Sequence, residues 1–268
     1  MKKYKINSGL LLTRVRQEKP LVHHLTNWVT IYDCANAVKV LGASPVMAHA
    51  QEEVAQMASL ASSLVLNIGT LTVEFVSAMK LAAKGANKKG IPVILDACGA
   101  GATKLRDEKC FELLDQVRID IIKGNASEIA RLSGGNVRTK GVDAVSVSGD
   151  LRKIAKYLAI KRKAVVVVTG KDDIVTDGKR VFAISNGSPL MGKIVGTGCM
   201  SSSIIGAFIG VESDLAVASA TALSVFGIAA EFAARDSKGL GSFKERLFDF
   251  LGKITPETVN RMQKIKAL

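Results

Sequence analysis

The chain has 268 residues, 48% of them hydrophobic and 23% charged, which supplies a sizeable core and excludes a disordered composition. The net charge of +13 favours anionic partners such as nucleotides and phosphates. A nucleic-acid surface is disfavoured, because the densest basic runs, Lys161-Arg162-Lys163 and Lys264 with Lys266, fall where helices should end, and one Trp and three Tyr leave few platforms for stacked bases.

Taken in order, the chain reads as helices over about 30–41 and 50–62, a strand at 64–68, a helix at 72–88 and a strand at 92–96. A helix at 107–117, a strand at 119–122, helices at 125–133 and 149–161 and a strand at 164–169 follow. The run Val165-Val166-Val167-Val168 is apolar on both faces, as in a parallel strand covered on both sides. Short strands at 174–176 and 181–184 flank Asp177-Gly178, a hairpin signal. The rest is helical, at about 199–210, 214–235, 241–251 and 256–267. Ser213 precedes Asp214 at one start, and Thr255-Pro256-Glu257 opens the last helix with a cap, a proline and an acid. Alternating strands and helices predict an α/β domain of βαβ units, single from 1 to 268, with a mostly parallel sheet.

Cys34, Cys98, Cys110 and Cys199 are widely spaced with no CxxC, and read as reduced thiols of a cytoplasmic protein. The first residues lack the apolar stretch of a signal peptide. The apolar stretches 204–211 and 215–234 are broken by Gly, Ser, Thr and Glu, and fit buried helices better than membrane spans.

Four loops follow strands or open helices, and a parallel sheet would bring them to its carboxyl edge. Gly196-Thr197-Gly198-Cys199 opens a helix whose unpaired N–H groups and dipole suit a transferring phosphoryl group. Cys199 in that first turn would have a depressed pKa. A glycine turn with a small apolar Cys behind it accounts for the same residues equally well. Asp96, before Ala97-Cys98-Gly99-Ala100-Gly101, could face a metal-bound nucleotide or simply cap its own loop. Asn125 and Glu128 have capping-box spacing; the functional alternative has Glu128 holding a metal-bound water, with Lys123 near phosphates. Thr169-Gly170 can offer a hydroxyl to a phosphate. Two motifs fail. A dinucleotide fingerprint stops at Lys104, and the near P-loop from Gly187 to Lys193 ends in Ile194, which cannot bind magnesium. The three histidines, His23, His24 and His49, show no metal-ligand spacing.

Together the glycine loop, Asn125-x-x-Glu128 and Thr169-Gly170 resemble the ribokinase-like kinases. Pro20-Leu21-Val22-His23-His24-Leu25-Thr26-Asn27, Gly42-Ala43-Ser44-Pro45-Val46-Met47, Asn67-Ile68-Gly69-Thr70, Lys140-Gly141-Val142-Asp143 and Val195 to Cys199 narrow the resemblance to the hydroxyethylthiazole kinase family, over about residues 8 to 235. It implies a ribokinase-like, three-layer fold and ATP- and magnesium-dependent phosphorylation of 4-methyl-5-(2-hydroxyethyl)thiazole in thiamine salvage. It also implies a homotrimer with sites between subunits. Met47 and Gly196 would then contact the thiazole, and Lys123 and Thr169 the ATP. Asp96 and Glu128 would lie near magnesium, and Gly196, Thr197 and Gly198 would form an anion hole. Cys199 stands where most of the superfamily has an aspartate base, a position at which a hydroxymethylpyrimidine kinase would carry Asp. Ala97-Cys98 stand where the family usually has Pro-Val. Trp28, Tyr32 and Asp33 replace Asn, Asn and an apolar residue.

Overall fold

The computed structural model describes residues 6–134 and 150–268, so the Lys140–Asp143 motif lies outside the described residues. Among the described residues nine strands form one sheet: β1 (Leu21–Leu25), β2 (Ser44–Val46), β3 (Ser63–Asn67), β4 (Val93–Asp96), β5 (Ile121–Asn125), β6 (Val165–Thr169), β7 (Asp173–Thr176), β8 (Val181–Ile184) and β9 (Ile265–Ala267). The order is β2-β1-β3-β4-β5-β6-β7-β8-β9. Pairing is parallel from β2 through β6 and antiparallel from β6 through β9.

Helices cover both faces. One face carries α1 (Ser8–Glu18), α2 (Ile31–Leu41), α8 (Thr197–Ile209), α9 (Leu215–Asp236), α10 (Leu240–Lys253) and α11 (Pro256–Met262), packed through one core cluster. The other carries α3 (Val54–Leu60), α4 (Val73–Lys89), α5 (Lys104–Gln116), α6 (Ala126–Leu132) and α7 (Leu151–Arg162). This is the three-layer arrangement that the alternating pattern implies. The valine run shows why: Val165 and Val167 point to the α8 side, Val166 and Val168 to the α4 side. The helix α9 is long and apolar enough to cross a membrane by length and composition, but most of it is buried within the protein.

The same two-residue period places the site. Val65, Ile94 and Ile121 face α8, so the residues two further on, Asn67, Asp96 and Lys123, share that face at the carboxyl ends of β3, β4 and β5. Register aligns Asn67 with Asp96, and Asp96 with Lys123. Close approach of α8 to the sheet depends on Gly206: a Cβ there would lie 2.8 Å from Val22 Cγ1 and 2.9 Å from Val65 Cγ2. Ser63 also donates to the Gly206 carbonyl at 2.7 Å.

Sequence reading and structure differ at the ends. Strands β1 and β2 were not among the expected strands. The first carries two histidines among its five residues, and the second contains Pro45, which an edge strand tolerates because its missing N–H faces no partner. Helix α1 was also missed. The expected helix over 256–267 stops at Met262, and residues 265–267 pair antiparallel with β8 instead. A tertiary partner there overrides local helix propensity.

Candidate active site

Asp96 is the hub. It is 1% exposed, and its Oδ2 accepts from Asn67 Nδ2 (2.8 Å), Ser202 Oγ (2.7 Å) and Lys123 Nζ (3.1 Å). Lys123 also donates to the Gly198 carbonyl at 2.9 Å, joining β5 to the first turn of α8. Burial is the largest single influence on the Lys123 ammonium and lowers it; Asp96, Cys199, Glu128 and Cys98 together outweigh that burial and hold the pKa above its ordinary value.

Gly196 caps α8 with φ of 99°, a left-handed conformation that glycine adopts at little cost. A Cβ there would come within 3.0 Å of Thr30 Cγ2 and 3.7 Å of Asp33 Oδ2. Asp33 is itself paired with Lys244 at 2.7 Å. The N–H groups of Thr197, Gly198 and Cys199 begin the helix, so none has a carbonyl one turn earlier to bind. The Thr197 hydroxyl donates to Met191 O at 2.9 Å, which fixes the turn from below.

Cys199 receives a hydrogen bond from Asn67 Nδ2 at 3.3 Å and a longer one from Asn27 Nδ2 at 3.8 Å. The Cys98 thiol is the main influence that pulls Cys199 down to about 7, against the opposing effect of burial. The Cys98 thiol moves up in turn.

Glu128 is a capping residue and more. Its Oε2 accepts from Asn125 N at 2.6 Å, closing a capping box, and its Oε1 accepts from Gly99 N at 2.7 Å. Burial, then the nearby Asp96 carboxylate, push it up to about 7. Two buried carboxylates that repel one another on hard oxygen donors fit a divalent cation such as magnesium. Among the described residues no group of three or more His, Cys, Asp or Glu is placed to hold a metal.

The remaining residues lie around this hub. Thr169 ends β6 opposite Asn125, and its hydroxyl donates to Gly124 O at 3.4 Å. Met47 follows the edge strand β2 and packs, half-buried, on the core that contains Cys199. Asp96, Lys123 and Gly198 are thus linked directly, Cys199 through Asn67, Glu128 through Gly99, and Thr169 through Gly124, while Met47 borders the group from the sheet edge.

Sequence reading assigned no role to Asn67, Ser202 or Arg106. Asn67 serves both Asp96 and Cys199, from the end of β3 that the register sets beside Asp96. Arg106 ties the loops after β3 and β4 together, donating to Ile68 O (2.9 Å), Gly69 O (2.7 Å) and Cys98 O (3.0 Å). Ala97 donates its N–H to Lys123 O at 2.8 Å, a bond that a proline there could not make.

Comparison with known proteins bears on what this edge does. The profile of the hydroxyethylthiazole kinase family matches residues 12–257. A hydroxyethylthiazole kinase of Methanosarcina mazei is 55% identical over 257 residues, covering 96% of this chain and 98% of the relative. One from Thermoanaerobacter pseudethanolicus is 50% identical, covering 96% of this chain and 98% of the relative. A solved structure of hydroxyethylthiazole kinase from Pyrococcus horikoshii superimposes with a TM-score of 0.89 at 39% identity, covering 97% of this chain and 98% of that one.

Proposed function

The chain belongs to the hydroxyethylthiazole kinase family, and on that premise we propose how its own residues transfer the γ-phosphoryl of ATP to the thiazole alcohol. The observation that carries the reading is the meeting of Asp96, Lys123, Cys199 and the Gly196–Gly198 turn at one sheet edge. Phosphoryl transfer depends mainly on positioning and charge stabilisation. The first-turn N–H groups of α8 and its dipole bind the equatorial oxygens as charge develops on them. Lys123, held by Asp96, faces the phosphates, and Thr169 supplies a hydroxyl to ATP. Asp96 and Glu128 are the residues that would hold magnesium, which would supply charge neutralisation for the phosphates. Met47 and the bare face of Gly196 seat the thiazole ring. Cys199 orients the substrate hydroxyl and accepts its proton. A thiol is a mediocre base for an alcohol, and suffices where the base is a minor contributor.

The chain acts as one domain from 1 to 268; a sheet continuous from β2 to β9 supports this. A homotrimer with sites between subunits is supported by apolar side chains exposed beside the glycine turn. Val29 is 69% exposed, Tyr32 77% and Val195 70%, and Thr30 between them touches the Gly196 position. Free thiols at all four cysteines support a cytoplasmic setting.

The test is ADP release from ATP and magnesium, with and without hydroxyethylthiazole, and mass spectrometry of the product. Thiazole-dependent release with phosphorylated thiazole is expected. Release with a pyrimidine alcohol instead would keep the chemistry and move the substrate; ATP binding with no turnover on any alcohol would refute the reading.

A further inference from the structure

Arg106 stands in the first turn of α5, outside the hub around Asp96, yet its guanidinium reaches the loops that carry the hub. Thr103 caps this helix, its hydroxyl accepting from Arg106 N at 3.3 Å. Arg106 Nη1 donates to Ile68 O at 2.9 Å and to Cys98 O at 3.0 Å, and Nη2 donates to Gly69 O at 2.7 Å. All three partners are backbone carbonyls; the neighbouring carboxylate, Asp107, pairs with Arg131 at 2.8 Å instead. Gly99 leaves room for the guanidinium, since a Cβ there would lie 2.9 Å from Nη1.

The two carbonyls on Nη1 belong to peptide units whose N–H groups hold site residues. A peptide unit is planar and trans, so its carbonyl and its N–H point opposite ways. In the unit between residues 68 and 69, Ile68 O faces Arg106 and Gly69 N–H donates to Asn67 Oδ1 at 2.8 Å. That leaves the Asn67 NH2 group for Asp96 at 2.8 Å and Cys199 at 3.3 Å. In the unit between residues 98 and 99, Cys98 O faces Arg106 and Gly99 N–H donates to Glu128 Oε1 at 2.7 Å.

We infer that Arg106 is a positioning residue for phosphoryl transfer: one nitrogen fixes two peptide planes, and these aim Asn67 and Glu128. The role in the reaction rests on the kinase reading of the site; the fixing of the planes does not. With the carbonyls released, both units are free to turn. The Asn67 oxygen then loses its donor, and Glu128 keeps only the N–H of Asn125. Lysine is a poor substitute, because a point charge lacks the planar fork that grips several carbonyls at once. The residues that seat the alcohol, Met47 and Gly196, make none of these contacts, so the effect falls on kcat rather than on the alcohol KM.

The experiment measures amide hydrogen exchange by NMR and steady-state kinetics on the full chain, wild type and Arg106→Met. Exchange at Gly69 and Gly99 is expected to quicken about tenfold, the factor that one hydrogen bond contributes, while Val65 and Ile94 within β3 and β4 keep their wild-type rates. A fall in kcat of about tenfold with an unchanged alcohol KM is expected alongside. Arg106→Lys, which keeps the charge, should show a smaller change in the same direction at both glycines and in kcat, and carries the test if Arg106→Met does not fold. Wild-type exchange at either glycine, equal acceleration at Val65 and Ile94, or an unchanged kcat would each overturn the proposal. Faster exchange at both glycines, in a protein whose wild type phosphorylates no alcohol, would sustain the fixing of the peptide planes and remove the kinase reading.

Discussion

Replacing Lys123 by methionine keeps the side-chain length and removes the charge. Lys123 is 4% exposed and Asp96 1%, so Lys123→Met leaves a carboxylate in a dry site without its ion-pair partner. Removing one member of a buried pair costs about 3–5 kcal/mol. Asn67 and Ser202 still donate to the carboxylate, at 2.8 and 2.7 Å, which puts the loss near the lower limit, about 3 kcal/mol. Combining Lys123→Met with Asp96→Asn removes both charges and leaves a neutral amide with the same two neighbours. Its loss is about 1 kcal/mol, the scale of one neutral hydrogen bond. The double variant is therefore expected to be more stable than Lys123→Met alone. The assay is urea denaturation at neutral pH, without nucleotide, of the wild type, both single variants and the double. Losses that simply add, within about 0.5 kcal/mol, would refute the claim that Asp96 and Lys123 form one energetic unit.

Three further outcomes follow from the same geometry. Cys199→Asp is expected to retain or improve kcat and Cys199→Ala to lower it only partially, in steady-state kinetics; a loss from Cys199→Ala as complete as that from Asp96→Ala would refute the modest role of the thiol. His24, buried on β1, is lowered by that burial to about 4 from 6.5. Its contribution to stability is therefore full above about pH 6.5 and fades as the pH falls toward 4, by about 3 kcal/mol in all. Glu128, raised to about 7, and Asp173, raised to about 6, act in the opposite sense, favouring the folded state more as pH falls. The clean readout is thus the NMR shift of the His24 ring, which should stay neutral to near pH 4; protonation near 6.5 in the folded protein would contradict its burial. Gly206→Ala gains about 1 kcal/mol of helix propensity but forces its methyl against Val22 and Val65, an overpacking cost of about 1–3 kcal/mol. A net loss in thermal denaturation is expected, and a raised Tm would show that α8 does not press on the sheet at that point.

Much of the site was legible because the strand ends announce themselves. The valine run fixed a strand buried on both faces, and Asp96 and Thr169 each end a strand of the expected set. Capping-box spacing at Asn125 and Glu128 was read directly, and the box is present. Asn67 and Ser202 were invisible as partners because no local pattern says which polar side chain will point at a carboxylate from another element. The C-terminal segment misled because its residues suit a helix, and only the free edge of β8 makes a strand of them.

The sequence by itself determined the layered α/β pattern, the glycine turn before α8 and the family, since these depend on period, on conformational freedom at glycine and on motifs contiguous along the chain. Tertiary structure alone decided that one carboxylate oxygen of Asp96 would collect Asn67, Lys123 and Ser202, and that Glu128 would spend both oxygens on backbone N–H groups. These contacts join residues from separate strands and helices, and come into being only when hydrophobic burial presses α8 onto the carboxyl edge of the sheet.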